Sequence, residues 1–281
     1  MQVDDAGDVV RITFDRPDVL NAFSTETAVT LAEAIADVSP ADHHAVVLTG
    51  EGTAFSAGGD IQAMAERREG PQEAFDRITE TFGRVVEEML ECPVPIIAKV
   101  NGDAVGAGLA IVALSDFAYA VEDATFSCAF VRVGLIPDTG GTFLLPKLVG
   151  LRTAKELAFT GKFFDADEAA DLDLINESVD PDDLEERVEE TVDRLGRRPT
   201  ETIALMKRAM HENLGRHWGE ALEYENLLQV QAYTSDSHEE GVSAFLEGES
   251  RISTDFLECL QRQAADPLSI SWTVRMQWHE T

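Results

Sequence analysis

The sequence predicts an α/β fold that ends in a helical carboxy-terminal subdomain, on three observations. Apolar strands alternate with amphipathic helices through the first half of the chain, 44% hydrophobic residues suit an ordinary globular core, and helical periodicity dominates from Thr200 onward. At 281 residues the chain is long enough for one large domain or two unequal ones.

The first strand is Val9 to Phe14, alternating until Pro17 interrupts it. Ser24 reads as the N-cap of a helix with Glu26 in its first turn and Val29, Leu31, Ala32, Ile35 and Val38 at near-helical spacing. A strand over 45–49, a helix over 73–90, a strand over 96–100, a helix over 107–115 and a strand over 117–121 continue the alternation. After Gly134 come helices over 142–148, 152–159 and 167–172, a short strand over 175–179 and a charged helix over 182–195. Helices over 200–214, 218–234 and 238–247 complete the pattern, with Arg197-Arg198-Pro199 as the best boundary. The expected division is therefore a core over 1–196, a helical subdomain over 197–265 and an atypical tail over 266–281, in which Trp272 and Trp278 stand among few acidic residues.

Charge is the unusual property. With 53 acidic against 22 basic residues the net charge is -31, which disfavours nucleic acid and anionic membrane surfaces as partners. Self-repulsion on this scale is best tolerated where concentrated salt screens it to a few ångströms, so a salt-loving source is expected, against the alternative of an acidic mesophile. Cys92, Cys128 and Cys259 are odd in number and widely spaced, which implies neither a disulfide framework nor a zinc site. The acidic start, Met1-Gln2-Val3-Asp4-Asp5, is unlike a signal peptide, and the apolar run Ala104 to Leu114 is too short for a bilayer. A soluble, cytoplasmic protein is expected.

Two segments carry the chemistry. Strand Ile96-Ile97-Ala98-Lys99-Val100 breaks into Asn101-Gly102-Asp103-Ala104-Val105-Gly106-Ala107-Gly108 and opens an apolar helix, a geometry that aims free backbone N–H groups at one place and favours negative charge there. Upstream, Ala45 to Thr49 leads to Phe55-Ser56-Ala57-Gly58-Gly59-Asp60, a second small-residue bend able to supply another N–H to the same oxygen atom. Close helix–strand packing is the competing explanation for a lone Gly-x-Gly. A dinucleotide fingerprint fails, because Gly106-Ala107-Gly108-Leu109-Ala110-Ile111 lacks the third small residue.

These two bends and Gly134-Leu135-Ile136-Pro137-Asp138-Thr139-Gly140-Gly141 together resemble the crotonase (enoyl-CoA hydratase/isomerase) superfamily. The resemblance runs from Arg16-Pro17-Asp18-Val19-Leu20-Asn21-Ala22 to Glu240-Gly241-Val242-Ser243-Ala244-Phe245. It implies a crotonase-like spiral of strand-strand-helix units, an acyl-CoA thioester as substrate, no cofactor beyond the coenzyme A of that substrate, and a homotrimer or hexamer that uses the late helices in subunit contact. Packing within one subunit is the other role for those helices.

The family stabilises an enolate on the thioester oxygen, and matched residue by residue its two backbone donors fall on Ala57 and Ala107. By the same resemblance Arg16, Ala22, Gly58, Gly59, Asp60, Ile61, Gly106, Gly108, Phe130, Pro137 and Gly141 contribute to substrate binding, with Arg16 near the coenzyme A phosphates. Family hydratases use two glutamates at positions that here hold Ala110 and Phe130. Neither residue moves a proton, so hydration is disfavoured.

Asp138 remains, where several family isomerases place a catalytic aspartate, and residues 129–146 most resemble the 1,2-epoxyphenylacetyl-CoA isomerase type of phenylacetate degradation and nearby double-bond isomerases. The expected activity is isomerisation with Asp138 as proton shuttle, its pKa raised by Phe130, Leu135 and Ile136. The competing role for Asp138 is an N-cap of the helix near Thr142. Enoyl-CoA hydration and noncatalytic acyl-CoA binding are the alternative functions. His43, His44, His211 and His217 lack ligand spacing, so solvated surface and no metal are expected. Glu80 and Glu87 lie on a charged helix that reads as a wet face.

Overall fold

A computed structural model of the chain describes residues 1–5 and 7–246; Cys259 and the tail over 266–281 lie outside the described residues. Residues Met1–Leu222 form one compact unit, and a second begins at Glu223.

The chain enters through β1 (Gln2–Asp4) and β2 (Val9–Phe14), then α1 (Thr25–Ala36), β3 (Ala45–Gly50), β4 (Ala54–Ser56) and α2 (Ile61–Glu66). The long helix expected over 73–90 is α3 (Pro71–Ile78), a π-helical turn over Thr79–Gly83 and α4 (Arg84–Glu91). Next come β5 (Ile96–Val100), β6 (Asp103–Val105), α5 (Ala107–Leu114), β7 (Phe117–Val121), β8 (Thr125–Ser127) and a 3-10 turn over Ala129–Val133. The order continues with α6 (Gly141–Leu148), α7 (Gly150–Thr160), β9 (Phe163–Asp165), α8 (Ala166–Asp171), β10 (Glu177–Val179), α9 (Leu184–Gly196), α10 (Thr200–Asn213), α11 (Trp218–Tyr233) and α12 (Asp236–Leu246).

Two sheets organise the first unit. A six-stranded sheet runs β1-β2-β3-β5-β7-β10, parallel except for β1, and a four-stranded sheet runs β4-β6-β8-β9, antiparallel only at β8–β9. In the six-stranded sheet the central strands β3 and β5 are buried along nearly their whole length, which is why they read as unbroken apolar runs. Ser24 caps α1 as expected, its side chain accepting the Thr27 N–H at 3.1 Å, and Ala28, Leu31, Ala32 and Ile35 are buried. All eight residues of α5 are buried, so this helix is apolar on every face.

Phe14 holds the site-bearing segments together: its ring meets Phe23 at 5.0 Å and Phe55 at 5.3 Å, both edge to face. The boundary read at Arg197 falls inside the first unit. There α10 is fixed by buried Lys207, whose Nζ donates to Asp116 Oδ2 at 2.6 Å and to the Val94 carbonyl at 3.2 Å. Asp116 Oδ2 also accepts the Ile96 N–H at 2.8 Å, so one ion pair ties α10 to the start of β5. Among the described residues no helix is long and apolar enough to cross a membrane.

Candidate active site

The site is built from the bends that follow β4 and β6. Asn21, almost fully buried with φ 57°, supports the first bend: its Nδ2 donates to the carbonyls of Glu51 at 2.9 Å and Ala54 at 2.7 Å, and its Oδ1 accepts the Arg16 N–H at 2.9 Å. Ser56 Oγ donates to the Asn21 carbonyl at 2.9 Å and accepts the Gly58 N–H at 3.2 Å.

The two bends touch. At Gly58 (φ 91°) a Cβ would stand 2.6 Å from the Val105 carbonyl oxygen and 3.4 Å from the Ala107 nitrogen, so only glycine lets the backbones approach this far. Gly108 plays the same part in reverse, since a Cβ there would stand 2.5 Å from the Ser56 carbonyl oxygen.

Hydrogen bonding decides which amides are free. The Ala57 N–H donates to the Leu20 carbonyl at 2.8 Å, which corrects the expectation that it is a substrate donor. Gly58 is committed to Ser56 Oγ, Asp60 N–H to the Phe23 carbonyl at 2.9 Å, and Gly106 N–H to the Ser127 carbonyl at 2.8 Å. The amides of Gly59 and Ala107 donate to no group among the described residues. Ala107 opens α5, where the first N–H groups have no intrahelical acceptor. The register explains the two-residue shift on the other bend. Phe23 pairs with Gly59 as an isolated parallel bridge, bonding to Gly58 and Asp60 and leaving the intervening amide turned away.

Asp60 caps α2, accepting the Ala63 N–H at 3.0 Å, and pairs with Arg16 at 2.9 Å. The Ala63 amide first, then the Arg16 guanidinium, hold its carboxyl below the ordinary range. Arg16 also donates to the Ala22 carbonyl at 2.6 Å. The guanidinium thus ties Ala22 and Asp60 across the loop while its side chain stays 35% exposed. Ile61, the first residue of α2, is exposed.

Asp138 lies half-buried on the segment between the 3-10 turn and α6. It does not cap that helix: the N-cap is Gly140, and Asp138 contributes only its backbone carbonyl, to the Gly141 N–H at 2.9 Å. The Asp138 carboxyl accepts the Thr139 hydroxyl at 3.1 Å. Burial pushes its pKa up, against the opposing pull of Thr139, its own amide and the more distant Arg77 charge. The expected apolar shield needs correction, because Leu135 and Ile136 are exposed, Ile136 by 73%, and only Phe130 is buried. Leu114 and Leu144 instead back the Gly140 turn, and Pro137 packs where a Cβ on Gly141 would fall.

The positions of the missing glutamates are apolar and closed: Ala110 and Phe130 are both buried. Glu80 and Glu87 are exposed. Two histidines depart from the expected solvated role. The His211 ring meets the Leu90 carbonyl at 2.9 Å, and half-buried His44 stands 3.5 Å from Asp8. Among the described residues no three His, Cys, Asp or Glu side chains are grouped to hold a metal ion.

Two mainly parallel sheets and two touching bends, each with an uncommitted amide, are accompanied by a crotonase-type fold in the similar solved structures. The family model for enoyl-CoA hydratase/isomerase matches residues 4–252, and the chain belongs to that family. It is 34% identical over 240 residues to the 1,2-epoxyphenylacetyl-CoA isomerase of Escherichia coli, covering 85% of this chain and 92% of that one. It is 32% identical over 244 residues to the short-chain-enoyl-CoA hydratase of Clostridium acetobutylicum, covering 86% and 92%. Among solved structures, an enoyl-CoA hydratase of Mycobacterium smegmatis matches with TM-score 0.81 and 32% identity over 88% of this chain and 96% of that one.

Proposed function

We propose that this family member is an isomerase of enoyl-CoA thioesters that uses Asp138 as its single proton carrier. The observation that carries the reading is the contrast between two carboxyls: Asp60 is committed to the α2 cap and Arg16, whereas Asp138 meets only the Thr139 hydroxyl. Asp138 is freed from helix capping and poised by burial for proton exchange, while Ala110 and Phe130 stand where family hydratases place glutamates.

The chemistry for a 3-enoyl thioester balances without a co-reactant. Ionised Asp138 takes the proton from C2, and the C2–H electron pair moves into a dienolate whose charge rests on the thioester oxygen. The Gly59 and Ala107 amides donate to that oxygen, binding it more strongly as charge develops. Asp138 then returns the proton to C4, leaving the double bond between C2 and C3. Coenzyme A enters as part of the substrate and no separate cofactor is required. A ring-epoxide thioester is the second candidate substrate, suggested by the name of the E. coli relative.

Hydration is the competing activity, favoured by relatives that carry hydratase names. Incubating purified protein with 2-enoyl-, 3-enoyl- and ring-epoxide CoA thioesters separates the readings. Products of unchanged mass and altered ultraviolet spectrum support isomerisation. Gain of one water supports hydration, and tight binding without turnover supports an acyl-CoA-binding role. A homotrimer or hexamer is part of the proposal, supported by Met206 and Met210 exposed on α10; light scattering tests it.

A further inference from the structure

Thr139, next in the chain to Asp138, holds a conformation that its residue type disfavours. The Asp138 carbonyl accepts the Gly141 N–H at 2.9 Å and the Pro137 carbonyl accepts the Thr142 N–H at 3.1 Å, closing a tight turn with Thr139 and Gly140 at its centre. Both central residues have positive φ, 52° and 78°. Turns of this hand are dominated by glycine, asparagine and aspartate, and a β-branched residue at such a φ is an outlier that persists only where its surroundings over-determine it. Here they do. Thr139 is buried, Leu114 and Leu144 back the turn at Gly140, and Pro137 closes it at Gly141. Leu114 ends α5, the helix whose first amide is the uncommitted donor of Ala107, so the turn is seated on the same rigid element as the amide pair.

Nothing in the closure of the turn asks for a hydroxyl, since both closing bonds run backbone to backbone. The Thr139 hydroxyl donates instead to Asp138 Oδ1 at 3.1 Å, and among the described residues Oδ2 bonds to no other residue.

We propose that Thr139 is a positioning residue for the proton carrier: the strained turn holds its hydroxyl on Asp138 Oδ1, fixes the plane of the carboxyl and leaves Oδ2 as the oxygen that takes and returns the proton. The inference rests on Asp138 being that carrier. A carboxylate free to rotate spends much of its time out of line with C2 and C4, and a donor fixed on one oxygen removes that freedom. Because the bond is made to the ionised form, it also opposes the upward push that burial gives the carboxyl. Arg77 of α3 is the charged group that acts on Asp138 from another element, and α5 carries no titratable side chain; substitutions at Thr139 leave both unchanged.

The test measures kcat, KM and the pH profile of kcat/KM on a 3-enoyl-CoA thioester for the wild type, Thr139→Val, Thr139→Gly, Thr139→Ser and Asp138→Asn. Thr139→Val keeps the shape and loses the hydroxyl: kcat falls about tenfold or more, KM stays within about twofold, and the acidic limb moves to higher pH. Thr139→Gly adopts the positive φ without strain, so it keeps the turn folded and shows the same loss of kcat. Thr139→Ser, which keeps the donor, restores kcat to within about threefold and returns the limb. A kcat within about twofold of wild type in the variants lacking the hydroxyl, a loss carried by KM alone, an unmoved limb, or a Thr139→Ser as slow as Thr139→Val overturns the proposal. Full activity in Asp138→Asn defeats the proton-carrier reading, whereas a dead Asp138→Asn beside a fast Thr139→Gly defeats the Thr139 inference alone.

Discussion

Substituting Gly108 by alanine tests the contact between the two bends. The added Cβ would stand 2.5 Å from the Ser56 carbonyl oxygen and 3.0 Å from the Ser56 Cβ. Ordinary contact begins near about 3.5 Å, so relief requires a displacement of roughly 1 Å between β4 and the start of α5. Neither side yields cheaply, because Ser56 is held by Asn21 and Gly58 and every residue of α5 is buried. A movement of that size takes the Ala107 or Gly59 amide out of hydrogen-bond range of a shared oxygen, and losing one such donor costs roughly a hundred- to thousandfold in kcat. The strain costs about 1–3 kcal/mol, partly offset by up to about 1 kcal/mol from replacing a helical glycine. At roughly 2–4 °C per kcal/mol the melting temperature drops by only a few degrees. Steady-state kinetics and thermal unfolding on one preparation separate the two effects. Activity within threefold of wild type would refute the idea that this contact sets the amide pair.

Other outcomes follow from the same structure. Asp138→Asn should be slightly more stable than wild type at neutral pH. A carboxyl whose folded pKa is raised binds protons more readily folded than unfolded, so its destabilising effect grows as pH rises through that interval. Melting temperatures against pH check this, with the gain fading toward the ordinary carboxylate range. Asp60→Ala removes the cap of α2 and should cost about 1 kcal/mol, measured by denaturant unfolding. The pKa of Asp60 is lowered by folding, so its contribution is present above the unfolded value and disappears as acid is added. Lys207→Ala leaves Asp116 without its cation beside β5 and should cost about 3–5 kcal/mol, visible in the same assay. With net charge -31 the unfolding midpoint should fall on dialysis from molar to millimolar salt, and an unchanged midpoint would dispose of the salt-adapted reading.

The larger elements were legible because their apolar periodicity is strong: β2, β5, β7 and α1 lie within a residue or two of their expected spans. The four-stranded sheet was not, since β4, β6, β8 and β9 are three-residue strands. Segments that short carry no period, and their pairing is set by tertiary contact. At the site, Gly58, Gly108 and Asp138 stood out by residue type. The choice of donor amide did not: the Ala57 N–H meets the Leu20 carbonyl whereas the Phe23 bridge turns the Gly59 N–H away, a register fact that residue identity does not encode. Asn21 and Ser56 carry the bend through buried hydrogen bonds that only the folded chain makes.

The most direct measurement of the central claim is the rate at which Asp138→Asn isomerises a 3-enoyl-CoA that the wild type converts. The account predicts a folded variant with no detectable conversion and retained thioester binding. Conversion at the wild-type rate, or a wild-type product heavier by one water, would contradict it.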